Sequence, residues 1–501
     1  MGRCATIWPV IVRKNLVFTL LAGVLATACG GEGLTTSANP PPTPTATSPP
    51  FTTAKPNIIL VLLDDGEDAM VSNMPRLRAA FIDRGLRFTN AFSNTPLCGP
   101  SRANILSGQF SHNTRVIGNV GSEAGYPAWA AGGYDANNIG PWLKAAGYQT
   151  GLFGKYQNDY PTSASTLTYI PPGWDDWRVV MSDREASNDL YTLNENGALN
   201  EYKSASGGYQ ADVLSDRLQA FLRRAETSDS QPFFAFLSLG APHTPTAPAA
   251  RHLSAYAGAT APRGPSFNEP DLSDKPRWLQ DQVALIDSAT ARDIDDDYRG
   301  SLQALLAVED AIDALFQTLE QLGETSNTYV FFTSDNGLHR GEHRIPRGKN
   351  TPYEESIRMP FYVRGPGVPA GRTIEHLAGL VDLVPTFLGL SGTSIPSSVD
   401  GMSLTPLFTA TPPAVTTWRQ EMLIEHPGGA GLPVRMPAYY GVRTQTEMYV
   451  EYDNLETEYY DLRTDPQQLD NLVRSAPSAT LSRLSARVAA LKGCRGSTCR
   501  P

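Results

Sequence analysis

The chain has 501 residues, 41% of them hydrophobic, and a formal net charge of -10. That length supplies a large core and enough chain for more than one domain. The acidic balance excludes a sequence-independent nucleic-acid binder, which needs a basic surface. It does not exclude a small anionic ligand, because a local cluster of cations reverses the field inside one pocket.

Residues 1–29 read as a secretory signal. Arg3, Arg13 and Lys14 give a basic start, and Leu16 to Ala28 form an apolar and small-residue run too short to span a bilayer comfortably. The run ends Leu25-Ala26-Thr27-Ala28-Cys29-Gly30, which resembles a bacterial lipoprotein cleavage box with Cys29 as the lipidated residue. Ordinary secretion is the alternative and an uncleaved anchor the third reading. Residues 30–54 are rich in Pro, Thr and Ser, with Pro40-Pro41-Pro42-Thr43-Pro44, and form a linker with nothing to bury. The expected location is therefore outside the cytoplasm, periplasmic or at the cell surface, with a lipid anchor as the only membrane contact.

Four apolar runs in the body each read as a buried strand ending on polar residues. Asn57 to Leu63 ends at Asp64-Asp65-Gly66, and Tyr148 to Phe153 ends at Gly154-Lys155. Phe233 to Ser238 leads to Ala241-Pro242-His243, and Tyr329 to Thr333 ends at Ser334-Asp335-Asn336-Gly337. Near-continuous apolar strands with long helical connections predict a mostly parallel sheet sandwiched by helices. Ligands in such sheets sit at the carboxyl ends of the strands, so Asp64, Asp65, Lys155, His243, Asp335 and Asn336 are expected along one edge. Helices are predicted from about Gln210 to Arg224 and from Tyr298 to Gly323, the latter from the spacing of Leu302, Leu305, Leu306, Ile312, Leu315, Phe316, Leu319 and Leu322. After about Gly392 the texture shifts to short alternating runs such as Tyr439 to Arg443 and Glu447 to Tyr452. These predict a small antiparallel sheet, followed by a terminal helix around Ser478 to Leu491. The resulting division is residues 55–392 as a large α/β domain and 393–501 as a smaller α+β subdomain.

Asp64, Asp65, Asp335 and Asn336 form an all-oxygen ligand set that favours a hard divalent cation, Ca²⁺ or Mg²⁺, over zinc. Either pair alone reads equally as a turn. Residues 98–108, Cys98-Gly99-Pro100-Ser101-Arg102-Ala103-Asn104-Ile105-Leu106-Ser107-Gly108, read as a short helix with Pro100 in the first turn and Gly108 as a stop. A lone cysteine in such a setting is usually a small core residue. Of the five cysteines, Cys4 leaves with the signal and Cys29 is the lipidation candidate. Cys494 and Cys499 are near enough in sequence to bridge in an oxidising compartment. Cys98 is the odd one left.

The run from Cys98 resembles the signature of the type I sulfatases, Cys-x-Pro-Ser-Arg followed by Leu-x-(Ser/Thr)-Gly. Pro56 to Asp65 resembles the family's opening strand and metal pair, and Gly147 to Lys155 its second signature. Ala241 to Pro245, Thr333 to Gly337 and Lys349 after Gly341-Glu342-His343 also match. The resemblance implies an alkaline-phosphatase-like sulfatase fold and a sulfuric ester hydrolase, with a phosphodiesterase or phosphonate monoester hydrolase on the same scaffold as the alternative. It implies that a formylglycine-generating enzyme oxidises Cys98 to formylglycine, the catalytic aldehyde, and that Asp64, Asp65, Asp335, Asn336 and residue 98 hold the cation. Arg102 would stabilise the modified residue and the carboxylates, while Lys155, His243 and Lys349 would bind sulfate and assist the leaving alcohol.

One departure stands out. Many sulfatases carry a histidine two residues after the second-signature lysine, and here that position is Gln157. The Gly154 to Tyr160 segment, Pro171-Pro172-Gly173-Trp174-Asp175-Asp176-Trp177 and the Cys494 to Cys499 tail resemble the glucosamine-6-sulfatase branch, which implies a sulfated sugar or small molecule as substrate. His339 and His343 read either as pocket-lining or as surface residues, and His112 as support for a loop.

Overall fold

The computed structural model of the protein describes residues 55–161, 167–181, 190–227, 231–244, 246–428 and 435–500. The expected signal and the linker lie outside these described residues.

The strands, in chain order, are β1 (Asn57–Asp64), β2 (Leu86–Phe88), β3 (Ala91–Phe92), β4 (Gln149–Gly154), β5 (Asp176–Val180), β6 (Leu190–Glu195), β7 (Ala198–Lys203) and β8 (Phe233–Pro242). They continue with β9 (Thr328–Ser334), β10 (Phe361–Arg364), β11 (Arg372–Ile374), β12 (Ala378–Gly379), β13 (Glu421–His426), β14 (Tyr439–Thr444), β15 (Glu447–Tyr452) and β16 (Thr457–Asp461). Ten of them form one sheet in the order β11-β2-β10-β9-β1-β8-β4-β5-β6-β7. Its centre, β9-β1-β8-β4-β5, is parallel, and antiparallel pairs extend it at both sides. The expected mixed, mostly parallel sheet is thus observed, and the four apolar runs are four adjacent strands.

The reason for the continuous apolar runs is visible in β1. Ile58, Leu60 and Leu62 enter the core on one face of the sheet, and Ile59, Val61 and Leu63 the core on the other. Both faces are covered, so neither alternation nor a polar face survives in the sequence. The helices Gln210–Glu226 and Ser288–Leu322 cover one face through Leu214, Leu218, Leu305, Ile312 and Leu315. The helices Cys98–Ser107 and Leu383–Leu390 cover the other through Ile105, Leu106, Leu383 and Phe387.

The helix read from Tyr298 begins ten residues earlier, at Ser288. Its first turns, Ser288-Ala289-Thr290-Ala291-Arg292-Asp293-Ile294-Asp295-Asp296-Asp297, bury only Ile294, so they carry no apolar period to read. Their start is fixed instead by Asp287, whose side chain accepts from the Thr290 N–H at 2.8 Å.

The C-terminal strands form the expected antiparallel sheet, in the order β13-β14-β15-β16. The helix Ser478–Leu491 packs Leu484, Val488 and Leu491 against Val442 and Tyr449 of this sheet. Between the two sheets, Val399, Leu404, Leu407, Phe408 and Trp418 pack into the core of the large sheet. Cys494 and Cys499 form a disulfide, and Cys98 is the free cysteine among the described residues. The tail is tied back by His112, whose Nδ1 meets Glu425 Oε2 at 2.8 Å and whose Nε2 meets the Cys494 carbonyl at 2.9 Å. His112, in the short helix Ser111–Thr114, is therefore a structural strut between that helix, β13 and the tail.

Candidate active site

The parallel register brings the polar strand ends together. Leu63 pairs with Ser334 and Asp64 with Pro242, so Asp65, Asp335 and His243 follow at one edge. The Asp335 N–H donates to the Leu63 carbonyl at 3.1 Å, and the Asp65 N–H to Asp335 Oδ1 at 3.2 Å. Asp65 itself has a φ of 64°, a left-handed turn that aspartate tolerates better than most residues. Gly154 ends β4 at a φ of 114°, and a Cβ there would stand 1.8 Å from the Ser238 carbonyl. Only glycine permits that approach, which lets the Lys155 N–H donate to the same carbonyl at 3.0 Å.

Cys98 opens its helix directly below this edge, and the helix ends at Gly108 with a φ of 69°. The Cys98 thiol donates to Asp64 Oδ1 at 3.3 Å, and Lys349 Nζ lies 2.8 Å from Sγ. Lys155 Nζ donates to Asp64 Oδ2 at 2.8 Å, and Lys349 also bonds Asp65 Oδ1. Arg102, one turn along the helix, donates through Nε to Asp335 Oδ2 at 3.0 Å and lies 3.4 Å from Asp64 Oδ2. It also reaches Ser238 Oγ at 2.7 Å and the Lys155 carbonyl at 3.1 Å. His243 Nε2 lies 3.7 Å from Asp65 Oδ2, and a quarter of its side chain is exposed, 25% against 1% for Cys98 as a whole. His243 is thus the most exposed member of the cluster.

Ligand atoms of Asp64, Asp65, Cys98 and His243 all lie within 4.8 Å of one another. Asn336 donates through Nδ2 to Asp65 Oδ1 at 2.6 Å, while its Oδ1 is buried without a hydrogen-bond partner among the described residues. Buried carboxylates beside an orphaned amide oxygen are a donor set that fits a hard divalent cation. His243 joins this cluster, whereas the sequence placed it only among anion-binding residues. Asp335 lies beside this cluster, its Oδ2 accepting from Arg102 Nε and its Oδ1 from the Asp65 N–H.

Burial and charge set the protonation states. Burial pushes the Cys98 thiol well up, and the neighbouring Asp64 carboxylate adds to this against Lys155 and Lys349. The thiol is therefore held protonated, which makes it a poor nucleophile. Burial works to raise Asp64, but Lys155, His243, Arg102 and Lys349 outweigh it and hold the carboxyl well below its ordinary range. Burial and then Asp64 push Asp335 up to about 6, against Arg102 and Lys349. Burial disfavours charge on Lys349, yet Asp65, Cys98, Asp64 and Asp335 hold it well above the ordinary lysine value. Burial holds His243 below the ordinary histidine range despite Asp65 and Asp64.

His339 and His343 are not on the surface; both are fully buried. His339 Nε2 pairs with Thr351 Oγ1 at 2.6 Å, and His343 Nδ1 with Glu269 Oε2 at 2.7 Å, its ring stacked 4.1 Å from Tyr353. They brace the loop between Asn336 and Lys349. Other supporting residues carry no sequence signal of their own. Ser93 and Ser101 both donate to the Asp335 carbonyl, at 2.8 and 2.5 Å, and the Gly66 N–H donates to Ser334 Oγ at 2.7 Å. Ser101 was readable only as part of the 98–102 motif.

A parallel sheet whose carboxyl edge presents three acids, two lysines, an arginine and a histidine around one buried helix N-terminus defines a hydrolase of anionic esters. The sulfatase family profile matches residues 56–393, and the profile described as N-sulphoglucosamine sulphohydrolase, C-terminal, matches residues 341–492. The chain is 32% identical to an N-acetylglucosamine-6-sulfatase of Capra hircus, over 89% of this chain and 85% of that one. It is also 32% identical to an arylsulfatase of Volvox carteri, over 89% and 76%. The solved structure of BT4656 in complex with its substrate D-glucosamine-2-N,6-O-disulfate superposes with a TM-score of 0.69 at 26% identity, covering 87% of this chain and 97% of that one. The chain belongs to the sulfatase family and is a sulfuric ester hydrolase.

Proposed function

We propose that this chain hydrolyses the sulfate ester of a sulfated sugar, using a formylglycine made from Cys98 and a divalent cation held beside it. The observation that carries this reading is the setting of Cys98. Its thiol is buried and held protonated, yet it lies between Asp64 and Lys349 at the focus of the cation-binding cluster. A thiol in that place is idle; an oxygen-bearing residue there completes an all-oxygen ligand set. The glycan preference rests on the glucosamine-6-sulfatase relatives and on the disulfated glucosamine bound by the structural relative.

Asp64, Asp65, Asp335 and Asn336 would hold the cation, with Ca²⁺ as the first choice and Mg²⁺ as the second. Bound there, it supplies electrostatic activation of an oxygen nucleophile. Formylglycine supplies that oxygen and a route for expelling sulfate that a plain serine or cysteine lacks. Lys349, kept cationic by its acidic neighbours, and Lys155 would face the sulfate oxygens and offset their charge. His243, at the open side, is placed to manage the proton of the leaving alcohol. Arg102 fixes the carboxylates of Asp64 and Asp335 from below. The N-terminus of the Cys98 helix adds a modest favourable field for the anion.

The same reading assigns residues 1–29 to an export signal with Cys29 as a lipid-anchor site and 30–54 to a tether. It makes 55–392 the catalytic domain, 393–501 a supporting subdomain, and a formylglycine-generating enzyme a maturation partner. No helix among the described residues is long and apolar enough to cross a membrane.

The test combines mass analysis of the peptide containing residue 98 with turnover of aryl sulfate, glucosamine 6-sulfate and an aryl phosphodiester. Conversion of Cys98 and turnover of the sulfates, lost on chelation and restored by Ca²⁺ or Mg²⁺, are expected. Unmodified thiol in active enzyme, or a large preference for the phosphodiester, would sink the reading.

A further inference from the structure

Gln157 stands where a histidine base is common in the resembling sequences, and its amide could not accept a proton in that role. The structure gives it another task. Gln157 is fully buried. In the amide orientation that satisfies both of its polar atoms, Nε2 donates to the Gly99 carbonyl at 3.2 Å and Oε1 accepts from the Ala103 N–H at 3.1 Å. Those two backbone groups are the acceptor and donor of one i to i+4 step, in the first turn of the helix that begins at residue 98. The side chain therefore lies along that turn and shares its hydrogen-bond ladder.

The surroundings make this contact a clamp. On another side of the same turn, the Gly99 N–H donates to Asn119 Oδ1 at 2.8 Å. The segment carrying Lys155 and Gln157 is itself fixed by three anchors. Arg102 donates to the Lys155 carbonyl, the Tyr156 hydroxyl donates to Asp135 Oδ1 at 3.0 Å, and the Tyr126 N–H donates to the Asn158 carbonyl at 2.7 Å. A Cβ on Gly125 would stand 2.4 Å from that carbonyl, so the segment fits tightly against its neighbour. Lys155 and residue 98 thus ride on two pieces of backbone joined through Arg102 and through Gln157.

We infer that Gln157 is a positioning residue, which holds residue 98 in place against Asp64 and Lys155 by pairing with the first turn of the nucleophile helix. This deepens the sulfatase reading and rests on it. Small misplacements of a reacting group are expensive, about 100-fold for roughly 1 Å, so a buried neutral clamp has a kinetic consequence without touching substrate.

The test uses Gln157→Leu and Gln157→Glu in the full chain, with rates expressed per converted residue 98. Leucine keeps the volume and removes both hydrogen bonds, so kcat is expected to fall about 10- to 100-fold with KM within about twofold. Glutamate reproduces the pairing only when neutral, its O–H donating to the Gly99 carbonyl while the other oxygen accepts from the Ala103 N–H. Burial raises a carboxyl pKa, so the ratio of Gln157→Glu to parent kcat is expected to approach one at acidic pH. It should fall as pH rises and the carboxylate forms. A ratio independent of pH, or Gln157→Leu with kcat within twofold of the parent, would overturn the inference. If Gln157→Leu does not fold, the glutamate profile alone decides. Failure of the parent enzyme to cleave any sulfate ester would instead strike the functional reading.

Discussion

Lys155 and Lys349 reach the same buried acids by different means. Lys155 directly follows β4, and its place is set by strand register, by the close approach at Gly154 and by its own N–H bond to Ser238. Lys349 closes a loop, residues 337–349, with no strand of its own, and that loop is held by side chains. Arg340 pairs with Glu67 and donates to Ser301 Oγ, its N–H is taken by Glu342, and His343 sits between Glu269 and Glu355. A lysine placed by backbone resists single substitutions; one placed by a buried charge network depends on each member of that network.

The largest expected effect removes what both lysines serve. Cys98→Ala should abolish turnover, by at least about 1000-fold, in a protein whose thermal unfolding is nearly unchanged. Retained turnover in a purified sample would end the nucleophile assignment. Asp64→Asn comes next, because it breaks the partner shared by Lys155 and Arg102. Breaking a buried ion pair by removing one member costs about 3–5 kcal/mol, so denaturant unfolding should shift together with a near-complete loss of activity.

The side-chain-held loop is probed by His343→Gln and by pH. Burial would lower His343, but its hydrogen bond to Glu269 and the Glu355 carboxylate 3.7 Å from Nε2 raise it from 6.5 to about 9. A group raised on folding contributes stability that is full below its unfolded value and is lost as pH climbs through the folded one. Glu355 is opposed by burial but held by His343, down from 4.5 to about 2. Its contribution is present above about 4.5 and lost as pH falls through about 2. The gap in unfolding temperature between the parent and His343→Gln should therefore be widest near pH 5 to 6, and should close above pH 9. A gap that does not vary with pH would remove the ion pair from the account of the loop. Activity should fall about 10-fold through Lys349, whereas an equivalent polar change near Lys155 should not show this pH signature.

The smallest effect lies farthest from the pocket. Cys494→Ser with Cys499→Ser opens a short loop, for which chain entropy allows about 2 kcal/mol. Stability should drop by no more than that, with kcat unchanged; a kcat loss would show that the tail reaches the site through His112 and Glu425.

The strand-borne half of the pocket was legible because physics writes it twice. A parallel sheet buried on both faces leaves apolar runs in the sequence, and its ligands lie where those runs end. Asp64, Asp65, Lys155, His243, Asp335 and Asn336 were found in that way. The loop-borne half was not legible by spacing: His339 and His343 were open between pocket and surface, and Lys349 came only from the family resemblance. Their partners, Thr351, Glu269 and Glu355, have no periodic relation to them. Ser93 supports Asp335 from 242 residues away.

The sequence by itself determined the central strands, the edge at which chemistry would gather, and Cys98 as the residue out of place. These follow from local pattern, strand period and motif. Only the tertiary structure brought His243 within reach of Asp64, Asp65 and Cys98, set Arg102 against Asp335, and laid the Gln157 amide along the Gly99–Ala103 turn. Each depends on which side chains burial brings within hydrogen-bond reach, and that is a property of packing between segments distant in the chain.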